Sequence, residues 1–362
     1  MRIGIDAREL GGQPTGVGRY LAGLLREWSR EGNARGHEFV LYATEAIAIE
    51  LDTYRFRTRI IEGAPGTWWE QVRLPPIAMR DHLDLFFAPA YTSPIRLAVP
   101  TVLTIHDLSY MAHPEWFSVR EGARRRLITR HSALRARAVV TVSEFSRREI
   151  LSYLQLPPDR VHVIPQGIDA PAVTRADRTE PRVLYVGAIF NRRHVPDLIR
   201  AVAALVRRHP AAQLDIVGPN RTFPREDIAA AIQIDGLNGR AHHYPYLVPE
   251  QLSTLYAKAS VFAFLSEYEG LGTTPLEALA AGMPPVVMDT TVARETLGRA
   301  ALYVPRGDIA ATTRALELAL FDEPTRATIL AEAPAALARY DWARAARQTL
   351  AVLEYAAESA ST

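Results

Sequence analysis

Short apolar segments rich in β-branched residues alternate along the chain with segments of helical periodicity, and this alternation limits the fold more than any other feature. Strands that recur singly between helices pair in parallel, and the resulting sheet needs helices on both faces. The first series of predicted strands covers 2–6, 39–43, 84–88, 101–106 and 138–142. The second series covers 182–186, 214–217, 241–244, 261–264, 285–288 and 301–304. We therefore predict an α/β protein with parallel sheets.

The two series are separated at 156–181 by a segment that is rich in proline and has little helical periodicity. A chain of 362 residues is long enough for two domains with a core each, and we predict domains at 1–170 and 175–338. Ligands of open parallel sheets lie beyond the carboxyl ends of the strands. This places the loop after Asp6, together with His106 and Asp107, where chemistry is expected. A cleft between two such domains is the default position of a ligand.

The amino-acid composition limits the kinds of catalytic and binding site that the chain can form. Cysteine is absent, which excludes disulfides and thiolate catalysis, and of the 42 basic residues only Lys258 is a lysine. A site that depends on positive charge must therefore be built from arginine. The net charge of +2 is too small to imply a nucleic-acid partner. No apolar run approaches the roughly 18 residues that cross a bilayer, and residues 1–6 have no room for a signal peptide's apolar stretch, so we expect a cytoplasmic protein.

The most informative segment joins the predicted strand at 261–264 to a predicted helix. Gly270 and Gly272 in this loop would let backbone amides approach a phosphate at the start of the helix, where the helix dipole favours an anion. Glu269 and Glu277 on either side would accept hydrogen bonds from hydroxyl groups. A nucleotide sugar offers such hydroxyls on its sugar and on its ribose.

A structural alternative remains open for the same segment. Thr274, Pro275 and Glu277 also fit a capping box, with the threonine as N-cap, the proline at the first helical position and the glutamate reaching back. Two glutamates at a given spacing occur by chance in most chains of this size. The glycines, the preceding strand and the following helix favour the ligand site.

A second glycine-containing turn, at 15–18, precedes a helix near the N-terminus. The amides of Gly16 and Gly18 would approach a pyrophosphate there. A dinucleotide-binding fingerprint requires a third glycine at position 21, where Leu21 stands, so that motif is excluded. A plain tight turn is the alternative.

Two further candidates follow predicted strands. His106 ends the strand at 101–106 and would present its imidazole to a ligand, or it would be a structural histidine under a loop. Arg192 and Arg193 precede a helix predicted at 195–208. Cations are unfavourable at a helix N-terminus unless an anion is present, which favours an anion site.

These motifs belong to a set of seven segments that spans nearly the whole chain. They are 4–8 (GIDAR), 15–20 (TGVGRY), 104–108 (TIHDL), 141–146 (TVSEFS), 163–169 (VIPQGID), 186–187 (VG) with 192–193 (RR), and 269–277 (EGLGTTPLE). In this order they are similar to those of the retaining glycosyltransferases of family 4, whose signature is two glutamates separated by seven residues. The resemblance implies the GT-B fold, two Rossmann-like α/β/α domains facing a central cleft. It also implies that a helix at about 340–362 crosses back to the first domain.

The resemblance implies roles for individual residues. The catalytic group would be His106, Glu269, Arg192 and Arg193, and the donor-binding group Gly16, Gly18, Gly187, Gly270, Leu271, Gly272, Thr273 and Glu277. His106 would lie beside the donor sugar, Glu269 would bind sugar hydroxyls and Glu277 the ribose. Arg193 stands where the family has lysine, which keeps the charge and adds a planar fork. Thr273 and Thr274 replace an apolar residue and proline, which changes the fit around the sugar.

The same resemblance implies a hexosyltransferase that uses a nucleoside-diphosphate sugar, with GDP-mannose the donor by family frequency and UDP or dTDP sugars as alternatives. The acceptor would be a glycan or a lipid-linked sugar, as in cell-surface polysaccharide or glycoconjugate synthesis. A nucleotide-sugar epimerase of the GT-B fold and an inactive nucleotide-sugar binding protein remain as other functions.

A basic segment at 118–137 carries seven arginines against one acid, Glu121. It would place the protein against the inner face of the plasma membrane or an anionic glycan, or it would be a solvated helix surface.

The sequence lacks three features that are typical of other classes of enzyme. No Asp-x-Asp triplet occurs, so we expect no catalytic metal and no cofactor. The single lysine follows alanine rather than glycine, which excludes a P-loop, and no Gly-x-Ser-x-Gly motif supports a hydrolase. The same lysine lies on a predicted surface helix, which disfavours a pyridoxal-phosphate phosphorylase.

Overall fold

The computed structural model describes residues 1–12, 15–30, 32, 34–171 and 180–358. The chain divides into two compact units, an N-terminal unit of Met1–Gly167 with Tyr340–Thr362 and a C-terminal unit of Ile168–Arg339. Each unit is built on one parallel sheet with flanking helices. Within the described ranges, no helix is both long and apolar enough to cross a membrane.

The sheet of the N-terminal unit has seven strands in the order β3-β2-β1-β4-β5-β6-β7. The strands are β1 Arg2–Asp6, β2 Glu38–Ala43, β3 Phe56–Ile60, β4 Leu85–Ala88, β5 Thr101–Thr104, β6 Ala138–Thr141 and β7 Val161–Val163. The helices are α1 Gly16–Ser29, α2 Leu74–Ala78, α3 Ser109–Ala112, α4 Val119–Arg135, α5 Glu144–Leu154 and α14 Trp342–Glu358.

Two apolar clusters cover the two faces of this sheet. On one face, α1 and α14 pack against the strands, and Leu21, Leu24, Leu25 and Trp28 of α1 are buried there as their helical spacing predicts. On the other face, side chains of α2, α4 and α5 complete the second cluster. Burying a large apolar side chain contributes about 1.5–3 kcal/mol, so these two layers hold the sheet between them.

The C-terminal helix α14 is anchored in the N-terminal unit at three levels. Trp342 packs against Gly23 and Gly167, where an added Cβ would lie within 2.5 Å of its indole. The Trp28 Nε1–H donates to the Ala346 carbonyl over 3.0 Å. Near the other end of the helix, Glu354 lies 2.9 Å from the His37 ring. The last segment of the chain is therefore part of the first core.

The sheet of the C-terminal unit has six strands in the order β10-β9-β8-β11-β12-β13. They are β8 Arg182–Val186, β9 Gln213–Val217, β10 Ala241–Tyr244, β11 Val261–Phe264, β12 Pro285–Met288 and β13 Leu302–Val304. The helices are α6 Val195–Val206, α7 Ile228–Ile234, α8 Pro249–Lys258, α9 Thr273–Ala280, α10 Thr291–Leu297, α11 Ile309–Phe321, α12 Glu323–Ala331 and α13 Ala333–Leu337.

Each sheet has a point at which the strand order reverses. In the C-terminal unit it lies between β8 and β11, and in the N-terminal unit between β1 and β4. The loops after two such strands leave in opposite directions and open a crevice at the carboxyl edge, which is where ligands of doubly wound sheets bind.

Every predicted strand is confirmed, with bounds within two residues of those expected. Two strands were missed. The edge strand β3 has the sequence FRTRI and is exposed along most of its length, so it lacks an apolar run. The edge strand β7 has three residues and lies inside the segment that we interpreted as a proline-rich linker, which was wrong for that part.

Candidate functional site

Gly187 and Arg193, which follow β8, lie close together at the crevice of the C-terminal unit. Gly187 has φ of +145°, and its N–H donates to the Val217 carbonyl over 2.8 Å. A Cβ on this residue would lie 2.7 Å from Nη1 of Arg193. Glycine is therefore required both by the backbone conformation and by the close approach of the guanidinium.

Arg193 and Glu269 form an ion pair across the switch point. The Arg193 Nε–H donates to Glu269 Oε1 over 2.8 Å, and Nη1 donates to the Ala188 carbonyl over 2.8 Å. The guanidinium also lies 4.9 Å from the ring centre of Phe264 and 5.5 Å from that of Phe190. Burial acts to lower the pKa of Arg193, but interactions with Glu269 and Tyr185 together raise that pKa above its ordinary value. The ion pair therefore links the two loops.

Ser266 orients the glutamate of this pair. Its hydroxyl is buried and donates to Glu269 Oε1 over 2.8 Å. The same carboxylate oxygen therefore accepts from both Ser266 and Arg193. The sequence analysis missed Ser266, although its position three residues before Glu269, in the same loop, was a usable signal.

Arg192 is held in the same loop by a backbone contact and an aromatic contact. Its guanidinium lies 4.4 Å from the ring centre of Phe190, and its carbonyl accepts the Glu267 N–H over 2.9 Å. The loop after β8 is thereby joined to the loop after β11. Neighbouring arginines at this edge thus have different surroundings, with Arg193 bound to a carboxylate and Arg192 stacked on a ring.

The glycine loop ends at the N-terminus of α9. Gly270 and Leu271 are buried, and Gly272 is the N-cap with φ of +78° in the left-handed region. Thr273 is the first helical residue, so the amides of the first turn have no intrahelical acceptor. The capping-box alternative is wrong, because Thr274 and Pro275 lie inside the helix rather than at its start. Glycine reaches the left-handed conformation without the strain that threonine would meet.

Glu277 consequently lies two residues further into α9 than the capping box would place it, and it is half-buried. It remains on the helix that begins at the glycine loop.

A second charged contact lies beside this loop and was not predicted. Glu267 Oε2 is 2.7 Å from Nη1 of Arg306 and 3.5 Å from Nε2 of His194. His194 is also 3.5 Å from Asp197, and hydrogen bonding to that carboxylate raises the pKa of His194. These contacts connect the loop after β11 with the start of α6 and with the loop after β13.

In the N-terminal unit, His106 lies beyond the end of β5. The strand stops at Thr104, so the histidine is in the loop rather than at the last strand position. Its Nε2 is 2.9 Å from the Pro89 carbonyl, which only accepts, so Nε2 carries the proton and Nδ1 is the acceptor. Burial lowers the pKa of His106, which favours the neutral ring. The rings of Tyr20 and Tyr91 pack against it.

Asp107 stabilises the turn after His106. Its carboxylate accepts the Ser109 N–H over 2.8 Å and the Tyr91 hydroxyl over 3.0 Å. These two contacts make Asp107 a cap of the turn after His106.

The two glycines at the start of α1 differ. Gly16 is the first helical residue, is exposed, and has no atom within 4 Å of where a Cβ would be. The Gly18 N–H donates to the Thr15 hydroxyl over 3.0 Å, and a Cβ there would lie 2.3 Å from the Glu9 carbonyl. Gly18 thus permits a close backbone contact, whereas the Gly16 position is open to a ligand.

A buried charge cluster lies at the end of β1. Arg8 Nη2 is 3.1 Å from Asp6 and 2.7 Å from Glu70, and all three side chains are almost fully buried. Thr92 also donates to Glu70. Burial raises the pKa of Asp6 to about 6, with Arg8 opposing the shift and Glu70 adding to it. Two carboxylates therefore share one guanidinium at the carboxyl edge of this sheet.

Two protein families match this chain. Residues 14–172 match Glycosyltransferase Family 4, and residues 169–335 match Glycosyl transferases group 1. The boundary between the two matches lies close to the division between the two units.

Several named proteins are similar to this chain over most of its length. The O-antigen chain mannosyltransferase B of Escherichia coli is 26% identical over 75% of this chain and 75% of its own. The GDP-mannose:cellobiosyl-diphosphopolyprenol alpha-mannosyltransferase of Xanthomonas oryzae is 26% identical over 75% of this chain and 72% of its own. Among solved structures, Anabaena HepE, crystallised with UDP and glucose, superposes with a TM-score of 0.78 at 19% identity, covering 98% of this chain and 100% of HepE.

Proposed function

Because the chain belongs to the glycosyltransferases of family 4, we propose that it is a retaining enzyme that moves a hexose from a nucleoside-diphosphate sugar to a glycan or lipid-linked acceptor. It is a glycosyltransferase, and its GT-B fold was predicted from the sequence motifs and is confirmed. The observation that carries the donor proposal is the Arg193–Glu269 pair beside the glycine loop at the switch point of the C-terminal sheet.

The donor diphosphate is assigned to the N-terminal end of α9. Amides of the first helical turn, next to Gly272, carry partial positive charge and lack intrahelical acceptors. Arg192 and Arg193 add two guanidinium groups on the adjoining loop. Hydrogen-bond donors that are already placed where negative charge develops stabilise the departing diphosphate more than they stabilise the intact nucleotide sugar. In the N-terminal unit, the exposed Gly16 amide is proposed as a donor-binding group.

The hydroxyl groups of the donor are assigned to the two glutamates. Glu269 is held through Oε1 by Arg193 and Ser266, which fixes the plane of its carboxylate for binding a sugar hydroxyl. Glu277 is assigned to the ribose. His106 is assigned to a further sugar hydroxyl, and its neutral ring with an acceptor at Nδ1 supports that role.

The reaction proposed for these groups retains the configuration at the anomeric carbon. The bond from that carbon to the diphosphate oxygen breaks, and the acceptor oxygen forms the new bond on the same face. A phosphate oxygen of the leaving group takes the acceptor's proton. No carboxylate of this chain is assigned as a nucleophile.

GDP-mannose is the donor that we propose, and the names of the two mannosyltransferase relatives support it. UDP sugars are the first alternative, because HepE was crystallised with UDP, and dTDP sugars are the second. The acceptor is proposed as a glycan or a lipid-linked sugar of a cell-surface polysaccharide or glycoconjugate.

The first prediction concerns Glu269. The purified protein is incubated with GDP-mannose, UDP-glucose or dTDP-glucose and a panel of acceptors, and transferred sugar and its anomeric configuration are measured. Glu269→Gln should lower turnover by about 100-fold or more, since a neutral amide cannot hold Arg193 or bind the sugar as a carboxylate does. The control Glu250→Gln changes an exposed residue of α8 and should keep full turnover.

Three results would contradict this function. Equal turnover of the two variants would remove Glu269 from the site. An altered sugar nucleotide formed from donor alone would indicate an epimerase. Donor binding, detected as a higher melting temperature, without turnover on any acceptor would indicate an inactive binding protein; a ligand at 100 times its Kd stabilises by about 2.7 kcal/mol.

A peripheral membrane contact is proposed for the basic helix α4. Glu121 pairs with Arg124 and Arg125, while the side chains of Arg120 and Arg130 form no ion pair with any described residue. Leu127 is 61% exposed between them. Beside the start of this helix, Thr67 accepts a hydrogen bond from Arg124, and the neighbouring Trp68 is 70% exposed. Exposed tryptophan next to arginine is typical of a membrane interface.

A further inference from the structure

A concave site of about 610 Å³ lies in the N-terminal unit, away from the residues assigned to sugar transfer. Arg135 and Arg137 line it from the connection between α4 and β6, and Arg160 and His162 line it from the start of β7. Tyr355 of α14 forms another wall. The site is therefore at the amino ends of β6 and β7, whereas His106 follows the carboxyl end of β5. Its volume is within the range of about 300–1,000 Å³ that is typical of small-molecule sites.

The lining of this cavity carries more positive than negative charge. It has three arginines and one acid, Asp159. The side chain of Arg160 already has hydrogen-bond partners. Its Nη2 donates to the carbonyls of Ala133 and Leu134 over 3.3 and 3.2 Å and so caps the end of α4. The side chains of Arg135 and Arg137 are exposed and have no hydrogen bond or ion pair with any residue in the described part of the chain.

His162 adds a polar group without a partner. Its Nε2 is buried and makes no hydrogen bond with the described residues. The ring of His162 lines the cavity and therefore reports on a bound ligand. Burial lowers the pKa of His162, so the neutral ring is favoured and donates one N–H.

The remaining walls are apolar. Leu134, Ala136 and Ala356 line the cavity together with the ring of Tyr355. Leu134 is 48% exposed on the last turns of α4. The cavity therefore has a cationic end next to a surface that would contact carbon atoms.

We propose that this cavity binds a phosphate ester, with Arg135 and Arg137 holding the phosphate oxygens and the ring of His162 beside them. Guanidinium forks match phosphate oxygens in pairs, which makes arginine better suited than lysine to this contact. The apolar wall contacts the esterified group. A phospholipid headgroup and a soluble sugar or glycerol phosphate share this chemistry, and the cavity's position at the end of α4 makes both accessible.

The test uses the full chain and two variants with equal loss of charge. Arg135→Gln/Arg137→Gln removes the cationic end of the cavity. Arg26→Gln/Arg148→Gln removes two exposed helix arginines of the same unit that do not line it. Binding of glycerol 3-phosphate and of a short-chain phosphatidylglycerol below its micelle concentration is measured by calorimetry, and the His162 ring resonances are followed by NMR.

The cavity variant should lose affinity by about tenfold or more while the control variant keeps it, since it can no longer form the charge-assisted hydrogen bonds of the two guanidinium groups to phosphate. Ligand should also shift the His162 resonances of the unsubstituted protein. Binding of both ligands would indicate the phosphate group itself, and binding of the lipid alone would assign the site to a headgroup. Equal losses in both variants, or no saturable binding of either ligand, would overturn the proposal.

Discussion

At the scale of single residues, the substitution of arginine for the family's lysine at position 193 has a structural consequence. The guanidinium donates from Nε to Glu269 and from Nη1 to Ala188, which are two separate directions of one planar group. An ammonium at the same place would lack the fixed fork. The sequence predicted both Arg193 and Glu269 as site residues, but their contact depends on β8 and β11 being neighbours in the sheet.

The pKa of Asp6 leads to a prediction about stability. Burial raises this pKa from its ordinary value near 3.8 to about 6, so the folded protein binds the proton more tightly than the unfolded chain. The free energy of unfolding should therefore rise as pH falls from about 6 to 4 and be lost as pH rises through 6, by about 3 kcal/mol in total. Asp6→Asn should remove this contribution.

Urea unfolding at several pH values measures this contribution of Asp6 to the free energy of unfolding. Asp159→Asn, at an exposed position, should leave the pH dependence unchanged. If Asp6→Asn kept the same slope between pH 4 and about 6, the proton would belong to another group.

At the scale of elements, α14 shows how one side chain decides where a segment packs. Trp342 occupies the space left by Gly23 on α1 and by Gly167 at the end of the N-terminal unit. Closely packed interiors do not accept an added methyl group without displacement of neighbours. These two glycines are therefore needed for packing, and neither is needed for a positive φ.

The prediction at this scale concerns Gly167. A Cβ there would lie 2.2 Å from Cγ of Trp342, so Gly167→Ala should lower the free energy of unfolding by about 1–3 kcal/mol. Gly16→Ala is the matched control, because nothing lies within 4 Å of its added Cβ. In a Trp342→Ala background the cost of Gly167→Ala should largely disappear. A cost that persisted there would mean that Trp342 is not the obstacle.

At the scale of the whole molecule, two doubly wound sheets supply two sets of loops, and the chain ends in the core of the first. The division into units puts Arg193 and Glu269 in one unit and His106 with Gly16 in the other. The basic helix α4, for which a membrane contact is proposed, belongs to the N-terminal unit.

The membrane proposal predicts binding to anionic vesicles that depends on α4. Arg120→Gln/Arg130→Gln should weaken binding to vesicles of phosphatidylcholine and phosphatidylglycerol in equal parts by about 2 kcal/mol, at about 1 kcal/mol for each charge near the surface. Arg26→Gln/Arg148→Gln should retain it. Brominated lipid should quench the fluorescence of Trp68, and loss of that quenching should accompany Trp68→Phe. Binding that is equal for both double variants would contradict a specific role of α4.

Prediction from the sequence was most reliable where the local residue pattern and burial in the tertiary structure agree. Central strands such as β1 and β11 are buried on both faces, so their apolar runs were readable. The edge strands β3 and β7 were missed because strand formation there depends on a neighbour's backbone rather than on burial of their own side chains. The capping-box alternative for the start of α9 is wrong because Gly272, in the left-handed region, is the N-cap in place of Thr274.

By itself, the sequence determined the fold class, the family and most of the residues placed at the carboxyl edges of the sheets. Periodicity and ordered motifs are properties of neighbouring residues, so they can be read without coordinates. The tertiary structure alone decided which groups meet. It brought Ser266 and Arg193 to one oxygen of Glu269, put two carboxylates on Arg8, and placed Arg135 and Arg137 together in the lining of one cavity. Such contacts join segments far apart in the chain, and only the packing of the sheets and helices determines their distances.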